Sequence, residues 1–165
     1  NKDGAAVPTS IKISEDGKLV AIGLAGEKSG VRICNVKDGS LVKFIPASSD
    51  VNDLAFSGNG DFLFFNIGAQ LIQLKTSDWT REKAWEFSSP ISALDVNSTG
   101  KYVAFSFQNA GSIFVDVTNG AILGQLTGQK VSDIAFSDDD QYVAVGIQKT
   151  LKTKESPAIV VYAAE

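Results

Sequence analysis

The sequence predicts an all-β protein made of four consecutive antiparallel sheets. Three observations carry this expectation. A turn phrase recurs at nearly constant spacing through the 165 residues. Short runs rich in Val, Ile, Phe and Tyr, the residues that strands prefer, flank each copy. No segment shows a convincing apolar repeat at the helical period of 3.6 residues.

The recurring phrase is Ser14-Glu15-Asp16-Gly17, then Ser57-Gly58-Asn59-Gly60, Asn97-Ser98-Thr99-Gly100 and Ser137-Asp138-Asp139-Asp140. Its fourth residue falls at 17, 60, 100 and 140, in steps of 43, 40 and 40. Fixed spacing of this size is the mark of a repeat architecture. In each copy a first strand precedes the turn: Ile11–Ile13, Val51–Phe56, Ile91–Val96 and Val131–Phe136. A second follows it: Leu19–Leu24, Phe62–Ile67, Tyr102–Phe107 and Tyr142–Ile147. A third comes after a loop of variable length: Val31–Val36, Leu71–Leu74, Ile113–Val117 and Ala158–Tyr162. A fourth closes the first three copies: Leu41–Ile45, Lys83–Phe87 and Ala121–Leu126. The stretch Asp78 to Glu86 is the least strand-like, and its position predicts a turn plus the start of a fourth strand. Asp16-Gly17, Asp38-Gly39, Asn59-Gly60 and Asn119-Gly120 supply residues that tolerate the positive φ of tight hairpins.

Four antiparallel strands per repeat of about 40 residues make a β-propeller blade. The second strand, as in Leu19-Val20-Ala21-Ile22, is apolar on both faces, which suits a blade packed between two neighbours. An up-and-down barrel, the alternative, calls for stricter alternation. The chain therefore reads as one propeller segment over residues 1–165, with blades at about 8–50, 51–90, 91–130 and 131–165. The last blade has three strands from this chain.

Composition narrows the function classes. Apolar residues are 44% and charged residues 21%, an ordinary globular balance. The net charge of −4 disfavours a nucleic-acid or anionic-membrane surface. The chain has no histidine, so the usual neutral-pH general base and a Ser-His-Asp triad are missing from it. One cysteine, Cys34, excludes an internal disulfide and multi-cysteine zinc motifs. Its place in a third strand predicts a packing role. No run of 18 apolar residues and no signal-peptide pattern occurs. A lone cysteine fits a reducing compartment, cytoplasmic or nuclear. Asp138-Asp139-Asp140 lacks calcium-loop spacing and sits where the other copies turn, so it reads as a solvated turn. No glycine-rich phosphate loop or other cofactor motif is present.

The phrases Asp53-Leu54-Ala55-Phe56-Ser57 and Asp133-Ile134-Ala135-Phe136-Ser137, with the turns and Tyr-Val-Ala strands that follow, resemble the WD-repeat family from about Pro8 to Glu165. The chain departs from that family in having no Gly-His dipeptide. Its third strands end in Cys34-Asn35, Leu74-Lys75, Val115-Asp116 and Tyr162-Ala163 in place of Trp-Asp. The resemblance implies a ring, usually of seven blades, in which the start of the chain often supplies the last outer strand. Asn1 to Val7 is a poor donor for it, being short, with only Ala5-Ala6-Val7 apolar. Three arrangements follow: blades from the same parent chain, two copies closing an eight-bladed ring, or a lone four-bladed ring. A start at Asn1 without any methionine reads as a piece of a longer chain.

The resemblance implies a non-catalytic protein-interaction scaffold within a multi-protein complex, its partners being other proteins. The alternative is a fragment of a propeller enzyme, or a substrate-gating propeller, whose catalytic residues lie elsewhere. Candidate partner-binding residues are Lys149, Lys152 and Lys154, on a long loop between second and third strands. Trp79 joins them, in the turn before a fourth strand, where an exposed indole would anchor an interface. Trp85 reads as blade packing.

Overall fold

The computed structural model describes residues 6–108, 111–148 and 158–163, with backbone alone for the last segment. Strands β1 (Val7–Ile13), β2 (Leu19–Ala25), β3 (Gly30–Asn35) and β4 (Leu41–Pro46) form the first sheet. The second holds β5 (Leu54–Phe56), β6 (Phe62–Ile67), β7 (Gln70–Lys75) and β8 (Arg81–Glu86). The third holds β9 (Ile91–Val96), β10 (Tyr102–Phe107), β11 (Gly111–Asp116) and β12 (Ala121–Leu126). The fourth holds β13 (Val131–Phe136), β14 (Tyr142–Ile147) and β15 (Ala158–Ala163). Every pairing is antiparallel between consecutive strands. No helix occurs among the described residues.

The expected all-β fold of antiparallel sheets and its strand order therefore stand, with shifted strand ends. β1 is longer than expected, and β5 covers only the second half of Val51–Phe56. In place of ladder pairs, Asn52 N–H and Asp53 N–H both donate to the Asn66 side-chain oxygen, at 3.0 and 2.9 Å. The ambiguous Asp78 to Glu86 stretch is a turn followed by β8.

The turn phrase has a physical reason. Ser14, Ser57 and Ser137 each accept the N–H of the residue five positions on, at 2.9, 3.0 and 2.9 Å. Asn97 does the same for Tyr102 through its side-chain oxygen, at 2.9 Å. A short polar side chain that satisfies its own hairpin backbone is what such a position selects.

The core lies between sheets. One apolar cluster joins the first and second sheets through Ala21, Ile33, Leu54 and Phe65. A second joins the second and third through Phe64, Leu94 and Phe105. A third joins the third and fourth through Ala104, Ile134 and Val145. Strand β1 packs on β5, β5 on β9 and β9 on β13, so the first strands lie side by side and the sheets fan outward. No comparable packing joins β13 back to β1 among the described residues. The fourth strands β4, β8 and β12 are exposed along most of their length.

Glycine is required where a third strand approaches the fourth. A Cβ on Gly111 would lie 1.8 Å from the Leu126 carbonyl oxygen, and one on Gly30 would lie 2.3 Å from that of Ile45.

Burial between sheets separates sensitive positions from tolerant ones. Phe105 is fully buried and packs edge-on against Phe107. Phe105→Ala is expected to cost about 3–5 kcal/mol of stability. Leu123→Ala, on exposed β12, is expected to stay within about 0.5 kcal/mol. Urea denaturation of the two variants checks the contrast.

Candidate interaction surface

The surface that stands out is the outer face of the first blade. Counting back from each turn, Ile11 holds the place of Leu54, Leu94 and Ile134. Those three side chains are 0%, 1% and 5% exposed, each buried against the preceding blade. Ile11 is 64% exposed, and Ile13 beside it is 61% exposed. Strand register sets Ile11 opposite Ile22 and Ile13 opposite Val20, so these four share one face. Val20 and Ile22 correspond to the buried pairs Leu63 and Phe65, Val103 and Phe105, and Val143 and Val145. Next to them Cys34 is buried in β3, as a packing residue is expected to be.

Carboxylates tie the blades together near the first strands. Asp53 of the second blade accepts the Ser10 hydroxyl of the first at 2.7 Å and the Leu94 N–H of the third at 2.9 Å. Asp95 of the third blade accepts the Phe136 N–H of the fourth at 2.8 Å. Thr9 donates its hydroxyl to the Val51 carbonyl. Such charge-assisted bonds are stronger than neutral ones.

The acidic triplet is not a solvated turn throughout, which corrects the reading from sequence. Asp138 and Asp139 are exposed, and Asp139 accepts the Ser137 hydroxyl and the Gln141 N–H. Asp140, however, reaches across to the third blade. Its carboxylate accepts the Ser98 N–H at 2.8 Å, the Ser98 hydroxyl and the Asn97 amide. It does so from a left-handed backbone (φ 60°), where Gly17, Gly60 and Gly100 stand in the other blades. The one signal for this in the sequence is that substitution of aspartate for glycine.

Trp79 is half-buried, packed against the cluster between the first two blades, and less open than the sequence reading supposed. Its backbone is also left-handed (φ 61°), where Gly39 and Gly120 occupy the equivalent turns. Asp78 holds that turn by accepting the Thr80 N–H at 2.9 Å. Trp85 packs on the neighbouring cluster, as expected. Lys149, Lys152 and Lys154 lie outside the described residues.

A shallow cleft of about 390 Å³ opens between the first two blades, lined by Ser14, Glu15, Asp16, Asn59, Gly60 and Thr76 among others. Its Asp16 carboxyl is held down to about 2 by the Lys18 ammonium, the Lys18 N–H and the Ser14 hydroxyl. Its charge is thus already answered within its own hairpin. No group of three or more His, Cys, Asp or Glu side chains is placed to hold a metal among the described residues.

No protein-family model and no curated protein matches the chain. Solved structures do. Hydrazine synthase of Kuenenia stuttgartiensis superposes with a TM-score of 0.80 at 12% identity, over 94% of this chain and 46% of that one. The β-propeller domain of Cps50 (Swd1) of Myceliophteria thermophila superposes with a TM-score of 0.74 at 15% identity, over 87% of this chain and 50% of that one. The fold is that of a partial β-propeller. At these identities the likeness shows the fold alone, and the chain spans about half the length of each of these two structures.

Two measurable consequences follow. A residue with a Cβ in the left-handed region is strained by roughly 1–2 kcal/mol relative to glycine. Trp79→Ala keeps that strain and loses the indole packing, while Trp79→Gly loses the packing and relieves the strain. Thermal unfolding is expected to rank wild type above Trp79→Gly, and Trp79→Gly above Trp79→Ala by about 1 kcal/mol.

Burial pushes the Asp95 carboxyl above its ordinary value of 3.8, against the pull of the Phe136 and Val96 N–H groups and of Lys12, with Asp53 adding to the rise. The folded state therefore holds this proton more tightly than the unfolded chain does. Asp95 contributes stability that is full below 3.8 and is lost as pH rises through the higher folded value. Asp95→Asn keeps an acceptor for Phe136 N–H and cannot ionise. Stability measured from pH 3 to 7 is expected to fall less steeply with rising pH in this variant than in wild type.

Proposed function

We propose that this chain is a non-catalytic protein-interaction segment of a propeller, acting as a scaffold in a multi-protein assembly. The observation that carries the reading is the open face of the first blade. It presents Ile11, Ile13, Val20 and Ile22, a set whose counterparts in the other three blades are buried against a neighbour, save Phe56 and Phe136 in the place of Ile13, which are half-buried. Apolar area of this kind, rimmed by polar residues, marks a binding surface. The lack of histidine in the chain supports a binding role over acid–base catalysis. Likeness to the Swd1 propeller domain is in keeping with it. Trp79, Lys149, Lys152 and Lys154 are proposed to contact the partner protein.

Likeness to hydrazine synthase favours a second reading, in which the segment belongs to an enzyme and the reacting groups come from other parts of it. The two readings are separated in the native extract. Replacing Lys149, Lys152 and Lys154 together by Glu is expected to lower co-purification of the stoichiometric partner about tenfold or more, with the far-ultraviolet circular dichroism unchanged. Full retention of every partner after removal of the whole segment would sink the scaffold reading. A variant that keeps all partners yet loses turnover of the assembly would favour the enzyme reading.

A further inference from the structure

We propose that the cleft between the first two blades seats an arginine side chain of a partner protein. This goes beyond the scaffold reading, which stands on the other face of the first blade. Leu19, in the cleft, packs toward the second blade with Ala21, whereas Val20 and Ile22 belong to the open face.

The contacts between neighbouring hairpins set this cleft apart. Two of the three are closed by hydrogen bonds. Between blades two and three, Asn59 N–H donates to the Ser98 carbonyl at 2.6 Å, and the Asn59 amide donates to the Thr99 carbonyl at 3.3 Å. Between blades three and four, the Asp140 carboxylate accepts the Ser98 N–H at 2.8 Å. No hydrogen bond joins residues 14–17 to residues 57–60 among the described residues. The residue types account for the difference. Asp16 stands in the place of Asn59, and a carboxylate cannot donate as that amide does. Gly60 stands in the place of Asp140 and brings no acceptor side chain. The cleft of about 390 Å³ opens where those bonds are missing.

Its lining determines what fits. The side-chain donors there are already spent. Ser14 gives its hydroxyl to Asp16 at 2.8 Å, and Thr76 gives its hydroxyl to the Gly60 carbonyl. Asn59 gives its amide to Asp61 at 2.9 Å as well as to Thr99. Asp16 is answered by the Lys18 ammonium at 2.9 Å. Glu15 is exposed and has no ion pair among the described residues. Leu19 and Phe56, both half-buried, supply an apolar wall. A ligand suited to this lining brings hydrogen-bond donors, a positive charge and an apolar stem. Arginine brings all three, since its guanidinium carries donors and no acceptor and its methylenes pack on apolar surface. Guanidinium is also more weakly hydrated than an ammonium, which favours it over lysine beside Leu19 and Phe56.

Titration of the 165-residue chain with the tripeptide Gly-Arg-Gly, blocked at both ends, tests the proposal through backbone amide chemical shifts. Saturable shifts are expected at Glu15, Gly58 and Gly60. The same peptide with citrulline keeps the shape and loses the charge. It is expected to bind about tenfold more weakly, because hydrogen bonds between charged groups are the stronger ones. Glu15→Gln, at an exposed position, is expected to weaken Gly-Arg-Gly by about tenfold with unchanged circular dichroism. Glu27→Gln, exposed on another loop, is expected to leave binding as it is. Absence of saturable shifts, equal binding of the citrulline peptide, or binding indifferent to Glu15→Gln would overturn the proposal. Equal or tighter binding of Gly-Lys-Gly would overturn the choice of arginine. Each of these failures leaves the scaffold reading intact, because retention of partners after removal of the segment tests that reading separately.

Discussion

Burial at the joint between one blade and the next holds this fold together. A four-stranded sheet has two faces, and here both carry apolar residues, so each face calls for cover by a neighbour. Burial at the joint falls on few residues: a large side chain from the later blade meets Ala or Gly of the earlier one. Leu54 against Ala21 and Gly23, and Val145 and Ile134 against Ala104, follow that rule. The middle joint inverts part of it, with Phe64 facing Phe105 and its aromatic neighbours.

Electrostatics reinforces the same joints. Asp53, Asp95 and Asp140 each sit on one blade and accept hydrogens from another. Buried polar groups must be paired, and pairing them across a joint also fixes how one blade sits on the next. The apolar face supplies the attraction, and the carboxylates supply the register. Surface ion pairs such as Lys75 with Glu82, at 2.7 Å, are half-exposed and add little to this.

Much of this was legible in the sequence. The turn phrase marks each blade because its Ser or Asn closes a hairpin locally, and local constraints leave local signatures. The joints are less legible. Period-2 alternation tells that Ile11 and Leu54 are equivalent, yet one is open and the other closed. That difference lies in what covers each face, which no window of residues around Ile11 contains. Asp140 shows a second limit. Within Ser137-Asp138-Asp139-Asp140 the three carboxylates look alike, and only packing of blade four on blade three separates the one that spans the joint. Trp79 was placed correctly in its turn, but its half-burial depends on a cluster drawn from the first two blades.

Blade one carries the same apolar set that the other blades bury against a neighbour. Amide hydrogen exchange at Ile11, read against Leu94 in the same sample, tests most directly whether blade one buries it too. Leu94 N–H is held by a carboxylate of the preceding blade. Ile11 N–H is expected to exchange as slowly as Leu94 N–H in the assembled protein, both opening only with the fold. Rapid exchange at Ile11 while Leu94 stays protected would contradict it, for it would show a first blade that faces water.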